Sequence, residues 1–496
     1  MSQPVPSPLS PELDGAPAGA PAASADEQGW HRLHKVTPLL KGWKSIAFAL
    51  VFFTQQRGDD LLAGRGVPGG REVLITLVLL ALFGVLAAVW AFLSWRMTRY
   101  RVDQDVLQLH SGVLFRQQRQ ARLDRLQAVD VVQPLLGRFL GLSELKLEVA
   151  GGAGSDVKLA YLRAEEAQQL RNVLLARAAG VRYDGEAPLA PEDQLVSLPV
   201  DRLVWSLVRS GATLGLVLAI VGLVLAAFVR REALFVVVPM LLGSVSGYWG
   251  QFSRGFNFEV ASSPDGLRLR HGLLETRSQT VPPGRVQAVQ MTQPLLWRGP
   301  DWWKLQVNVA GYGVSGEGQQ SETVLIPVAT RSEAYLVLSR ILPDLGHPDP
   351  LALLEAGLTG AAAGAESGTD VDPAGFVCAP RRSRWLDLVS WRRHGVAVSS
   401  RALLLRSGRV RRRLVIVPHE RTQSLKVFQG PIQRRLRLAS LEAHSTAGPV
   451  SPRVDHLDAG TAGLLLMEQA ERARQARASS GPERWMDTRA PERKRL

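Results

Sequence analysis

One cysteine, Cys378, occurs in 496 residues. A disulfide framework is therefore excluded, and so is any CxxC zinc or redox motif. The nine histidines never form HxH or HExxH, and no GxSxG elbow is present. His31 and His34 are spaced i,i+3 but have no carboxylate neighbour, so they read as interfacial residues rather than metal ligands. Cys378 has no histidine close by in sequence, which argues against a catalytic thiol. No catalytic residue, metal ligand or cofactor is expected, and the chain reads as a non-enzyme. Residues 1–29 contain four acidic residues and no basic one, so they lack the charged start and apolar centre of a secretory signal. Six prolines and six alanines there read as a disordered tail.

Charge itself is missing from three long stretches, residues 73–95, 210–229 and 233–253. A helix needs ~20 apolar residues to cross a bilayer core. A shorter run, 45–53, follows Trp43 and Lys44 and extends to a span from 39 when the flanking lysines reach the interface. Two transmembrane hairpins are expected, 39–54 with 73–95 and 205–229 with 233–253. Trp43 and Trp95 would anchor the first at headgroup level. Ten basic residues flank the outer ends of the hairpins (Arg32, Lys35, Lys41, Lys44, Arg96, Arg99, Arg101, Arg202, Arg209 and Arg254), against five in the hairpin loops (Arg57, Arg65, Arg71, Arg230 and Arg231). That bias places the soluble regions in the cytoplasm and the chain in the inner or plasma membrane.

Those soluble regions repeat. Residues 125–138, RLQAVDVVQPLLGR, align without a gap with 285–298, RVQAVQMTQPLLWR, and a divergent third copy begins at 421, RTQSLKVFQ. Arg125, Arg285 and Arg421 recur with Gln127, Gln287 and Gln423. Each arginine follows a glycine by the same interval (Gly112, Gly272 and Gly408), and repetition within one chain points to structural roles for all nine residues. Alternating apolar positions predict about seven short strands per copy, closed by helices over 164–178, 332–342 and 459–476. This pattern fits a small β-sandwich or partly open barrel. Residues 311–316, GYGVSG, match a dinucleotide motif, but a strand rather than a helix is expected next, so the segment reads as a hairpin turn.

The combination of paired apolar helices with the repeat RlQaV…QpLlgR resembles the bacterial pleckstrin-homology (PH) domain membrane proteins, in particular the YdbT-like branch with several such domains. The resemblance covers roughly residues 30–475. It implies PH-like folds, each a seven-stranded sandwich plugged by a C-terminal helix, and no enzymatic activity. The expected architecture is a multi-domain membrane protein with two transmembrane helix hairpins and three PH-like domains at 96–178, 254–342 and 381–478. A linker at 179–202, an acidic flexible linker at 343–380 and a basic tail at 479–496 complete the chain.

Acidic side chains are scarce in the third copy. Residues 381–437 hold fifteen arginines and one lysine against Asp387 and Glu420, a local charge of +14 that equals that of the whole protein. Basic clusters (Arg381, Arg382, Arg384; Arg392, Arg393; Arg411, Arg412, Arg413; Arg434, Arg435, Arg437) lie beside Trp385 and Trp391. Arginine next to tryptophan and leucine is the pattern of an interfacial segment. The expected function is a non-enzymatic membrane scaffold that contacts anionic lipid headgroups and protein partners or further copies of itself. The alternative is a sensor or accessory subunit of an export or envelope-maintenance system. No nucleic-acid motif accompanies the charge, so no nucleic-acid partner is expected.

Overall fold

Short strands with period-two alternation need partners on both edges, and this chain finds them partly outside its own repeats. The computed structural model describes residues 30–34, 36–37, 70–103, 106–113, 115–122, 126–149, 157–178, 192–229, 234–263, 266–310, 324–360, 371–372, 375–446 and 448–479. Repeat one runs β1 (His31–Arg32), α1 (Gly70–Arg96), β2 (Arg99–Val102), β3 (Val106–Ser111), β4 (Gln117–Arg122), β5 (Leu126–Pro134), α2 (Leu135–Phe139), β6 (Leu142–Val149), β7 (Val157–Arg163) and α3 (Ala164–Ala178). Repeat two runs β8 (Asp193–Ser197), α4 (Val200–Val208), α5 (Gly211–Val229), α6 (Leu234–Gly255), β9 (Glu259–Ser263), β10 (Gly266–His271), β11 (Glu275–Val281), β12 (Val286–Gln293), β13 (Trp302–Val309), β14 (Val324–Thr330) and α7 (Arg331–Ile341). After α8 (Pro350–Leu358), repeat three runs β15 (Val377–Cys378), β16 (Gly395–Val398), β17 (Ala402–Ser407), β18 (Arg412–Pro418), β19 (Ser424–Phe428), α9 (Pro431–Arg435), β20 (Leu438–His444), β21 (Arg453–Asp458) and α10 (Ala459–Ser479).

Every repeat thus consists of a four-stranded sheet followed by a three-stranded sheet and a helix. The sheets do not stay within their repeats. One seven-stranded sheet has the order β7-β6-β5-β11-β10-β9-β8, and a second has the order β14-β13-β12-β18-β17-β16-β15. The three-stranded half of one repeat therefore joins the four-stranded half of the next. At the first joint Gln133 faces Thr276, and at the second Gln293 faces Arg412. Those pairs are equivalent by repeat spacing, so the two joints share one register. The sheet β1-β2-β3-β4 and the sheet β19-β20-β21 remain at the two ends.

Leu107, Leu145, Leu147 and Leu159 fill the core of repeat one under α3. A larger core runs through repeat two into the first sheet of repeat three and includes Met291, Trp303, Leu404, Leu414 and Ile416. The helix closing repeat two begins with a capping box, Thr330 with Glu333, rather than at Ser332.

Three boundary expectations are corrected. The helices are inserted between the first and second strands of a repeat and do not precede it, because β1 pairs with β2 and β8 with β9 across the insertion. The segments 179–202 and 343–380 are accordingly not plain linkers. They contain β8, α8 and β15, and Leu353, Leu354 and Leu358 of α8 are buried in the main core. The expected span 205–229 is also broken. α4 and α5 are separate helices bent by 56° at Arg209–Ser210, where a Ser-Gly pair releases the backbone ladder and the Thr213 hydroxyl bonds the Leu207 carbonyl at 2.5 Å. Taken singly, no helix among the described residues is long and apolar enough to cross a membrane, though α4 and α5 together meet that test. The 39–54 segment, Trp43, Arg125, the 311–316 motif, the N-terminal tail and residues 480–496 lie outside the described residues. The strands flanking that motif, β13 and β14, pair antiparallel.

Candidate membrane-facing surface

A helical insert in repeat two occupies the connection between β8 and β9 and touches two turns of its own repeat. The Gly272 N–H bonds the Phe256 carbonyl at 2.8 Å, and the Leu273 N–H bonds the Ser253 carbonyl at 2.9 Å, fixing the β10–β11 turn to the end of α6. Trp297, in the helical turn after β12, donates from Nε1 to the Ser206 carbonyl of α4 at 3.1 Å. Arg209 lies 5.4 Å from the Trp205 ring centre and 5.5 Å from that of Trp302, which adds cation–π contact at the same place.

Repeat three makes the same two contacts without long helices. Its β15–β16 connection is the short segment 379–394, formed by the helical turns Arg381–Trp385 and Trp391–Arg393. The Arg409 N–H, in the β17–β18 turn, bonds Ser390 Oγ at 3.2 Å. Arg382 Nε bonds the Leu436 carbonyl, just past α9, at 2.9 Å. The Trp- and Arg-rich segment therefore stands where repeat two places its helical hairpin.

Around this segment the surface is apolar and basic together. Trp385 is 69% exposed and Leu388 79%, while Val389, Val410 and Ile432 are also exposed. Arg381, Arg384, Arg392, Arg411, Arg434, Arg435 and Arg437 are exposed as well. Arg384 lies 5.2 Å from the Trp385 ring centre.

Other arginines of the predicted set are partly or fully withdrawn from the surface. Arg382 also bonds the Arg437 carbonyl and pairs with Asp458. Buried Arg393 donates to the carbonyls of Gly357, at 2.9 Å, and Gly360; burial, reinforced by Arg406, Arg412 and Arg298, pushes its pKa below the usual guanidinium range. Arg412 bonds Gln293 Oε1 at 3.2 Å across the second joint. Arg413 is half-buried, and burial next to Arg411 lowers its pKa. Trp391 is buried, so it is corrected from interfacial anchor to core residue, with Arg392 against its ring. Trp95 ties the end of α1 to the Leu33 carbonyl at 2.9 Å.

The repeated glycines all sit at positive φ (+110° for Gly112, +116° for Gly272 and +73° for Gly408), and a Cβ on any of them would collide with the carbonyl oxygen three residues on. Arg285 donates to the Leu126 carbonyl of repeat one at 3.0 Å, and Gln287 is buried. Gln127 lies in β5, Arg421 is half-buried beside Glu420, and the Gln423 N–H bonds the His444 carbonyl at 3.0 Å.

Sequence reasoning missed the exposed apolar tips of the other repeats, among them Phe115, Leu135, Leu136 and Phe139 in repeat one and Leu274, Leu295 and Leu296 in repeat two. The signal was present in the QPLL turns and in the apolar residues two or three positions past each repeated glycine (Phe115, Leu274 and Val410).

Comparison with known proteins finds the same threefold repetition, the first two matches beginning after β1 and β8. The sequence profile of the family described as "Bacterial PH domain" matches three times, over residues 47–178, 211–344 and 350–478. Each of the first two matches includes an apolar helix as well as the strands that follow it. The UPF0699 transmembrane protein YdbT of Bacillus subtilis (strain 168) is similar at 20% identity over 285 residues, 51% of this chain and 58% of that protein.

Proposed function

Because the chain belongs to the bacterial PH domain family, we propose that it is a non-enzymatic integral membrane scaffold whose third repeat rests on anionic lipid. The two helical insertions anchor it, and all three repeats lie on the cytoplasmic face. Long apolar surfaces on α1, α5 and α6 support the anchoring, with Leu74, Val78, Leu82, Leu86, Leu214, Leu218, Leu242 and Trp249 exposed. The similar Bacillus protein is itself called a transmembrane protein.

One observation carries the lipid reading. The 379–394 segment takes the place of a hairpin in the repeat plan, so the same end of repeat three faces the bilayer. There Trp385, Leu388 and Ile432 reach the headgroup level, and the surrounding arginines meet phosphate. Each basic group near an anionic leaflet contributes about 1 kcal/mol. Five of them supply on the order of 5 kcal/mol, enough to hold down a domain whose tether already raises its local concentration.

The test uses the full chain in nanodiscs, with an environment-sensitive dye on Leu388→Cys; Cys378 is buried and stays unlabelled. Dye emission should shift to the blue in anionic bilayers relative to neutral ones, and salt should reverse the shift. Changing Arg384, Arg392, Arg434 and Arg435 to Gln should remove it. Equal emission in the two lipids would sink the lipid reading and favour a sensor or accessory subunit working through protein contacts.

A further inference from the structure

We infer that the two terminal sheet edges pair with each other between copies of this chain, so that repeat three of one molecule joins repeat one of the next. The chain already contains this joint twice. In both cases the first strand of a three-stranded half pairs antiparallel with the last strand of the following four-stranded half, β5 with β11 and β12 with β18. The halves left over are complementary, because β19 is the counterpart of β5 and β12, and β4 is the counterpart of β11 and β18.

Burial follows the same division. All of β12 is buried, and so are most residues of β11 and β18. In β4 only Ala121 is buried, and β19 has no buried residue. Edge strands of this kind, without a second partner strand among the described residues, offer main-chain donors and acceptors to another chain.

The shared register predicts the contact residue by residue. Gln133 faces Thr276 and Gln293 faces Arg412, so the equivalent Gln429 faces Arg116 of the second copy. This is the same residue pair as at the second joint, where Arg412 Nη1 bonds Gln293 Oε1 at 3.2 Å. Arg298 also crosses that joint to the carbonyls of Arg409 and Val410. Its counterpart Arg434 would reach the carbonyl of Val113 in the second copy. The register further sets Lys426 opposite Arg119, where the second joint has Gln290 opposite Val415. That like-charged pair weakens the contact and makes the register readable by charge reversal. Such a joint is head-to-tail, so it builds a ring if it closes and a row in the membrane plane if it does not.

Two full-length variants, Arg116→Cys and Gln429→Cys, are co-expressed in membranes and oxidised. Directly opposed residues on antiparallel strands have Cα atoms about 4.5–5.5 Å apart, within disulfide range. A disulfide dimer containing one of each variant is expected, and Gln118→Cys with Gln429→Cys, two residues out of register, should give several-fold less. Lys426→Glu or Arg119→Glu alone should raise the yield, and both together in every chain should return it to the original level. No mixed dimer, equal yield from the out-of-register pair, or a yield indifferent to charge reversal would overturn the proposal.

Discussion

Gly408 and Gly272 show how a single atom can fix a turn. An alanine Cβ at either site meets a backbone oxygen, and the positive φ adds ~1–2 kcal/mol of its own. Gly408→Ala should therefore lower the unfolding temperature, whereas alanine at Gly299, where a Cβ meets nothing within 4 Å, should change it little. Thermal unfolding in detergent distinguishes the two. His271 makes a different demand. It is buried, stacked 4.9 Å from Phe258, and burial with Arg277 nearby pushes its pKa down to about 4. The unfolded chain takes up its proton near pH 6.5. The stabilisation from keeping His271 neutral is thus complete above pH 6.5 and is lost as pH falls from there through 4, up to about 3 kcal/mol. Unfolding temperatures of wild type and His271→Phe, compared from pH 7 to 4, should diverge over that window, with wild type losing more. The glycines were legible in the sequence because their requirement is local. His271 was not, because its burial depends on Phe258, which lies on the approach to a neighbouring strand.

At the scale of elements, α8 shows where composition misleads. The acidic, Ala- and Gly-rich stretch around it suggested a flexible connection. Yet Asp349 caps the helix by accepting from the Ala352 N–H at 3.0 Å, and Pro350 occupies its first turn. That local signal was readable, but the apolar face of only nine residues gave no sign of what would cover it. Arg393 and Arg406 supply the remaining hold, the first through the Gly357 and Gly360 carbonyls and the second through the Ala356 carbonyl, Arg406 being itself paired with Asp372. Removing Arg393 leaves buried carbonyls without their donor, at a cost of about 1–3 kcal/mol. Arg393→Ala should accelerate hydrogen exchange in 350–358 more than in β13, and Arg393→Lys should not restore protection, because a single ammonium cannot reproduce the planar fork. Exchange read by mass spectrometry gives the comparison directly.

For the whole molecule, the proposed membrane anchoring implies a topology that can be probed from outside the cell. An impermeant thiol reagent should label Gly66→Cys, between the two expected spans of the first hairpin, and should leave Ser445→Cys untouched in intact cells. Labelling of Ser445→Cys would reverse the orientation. The three repeats, their closing helices and the basic third copy were legible because duplication leaves matching letters at matching intervals. The sharing of sheets was not. The pattern of 286–293 reads as an extended segment with one polar face, and it cannot say that both faces are buried or whether the neighbouring strand belongs to the same copy or the next. Since both joints use equivalent residues in one register, β18 presents to the half before it the same pairing positions that β11 presents to β5. A chain built on this plan can therefore lengthen or shorten by one whole copy through gene duplication or loss, with each new arrival docking on a surface its ancestors already possessed.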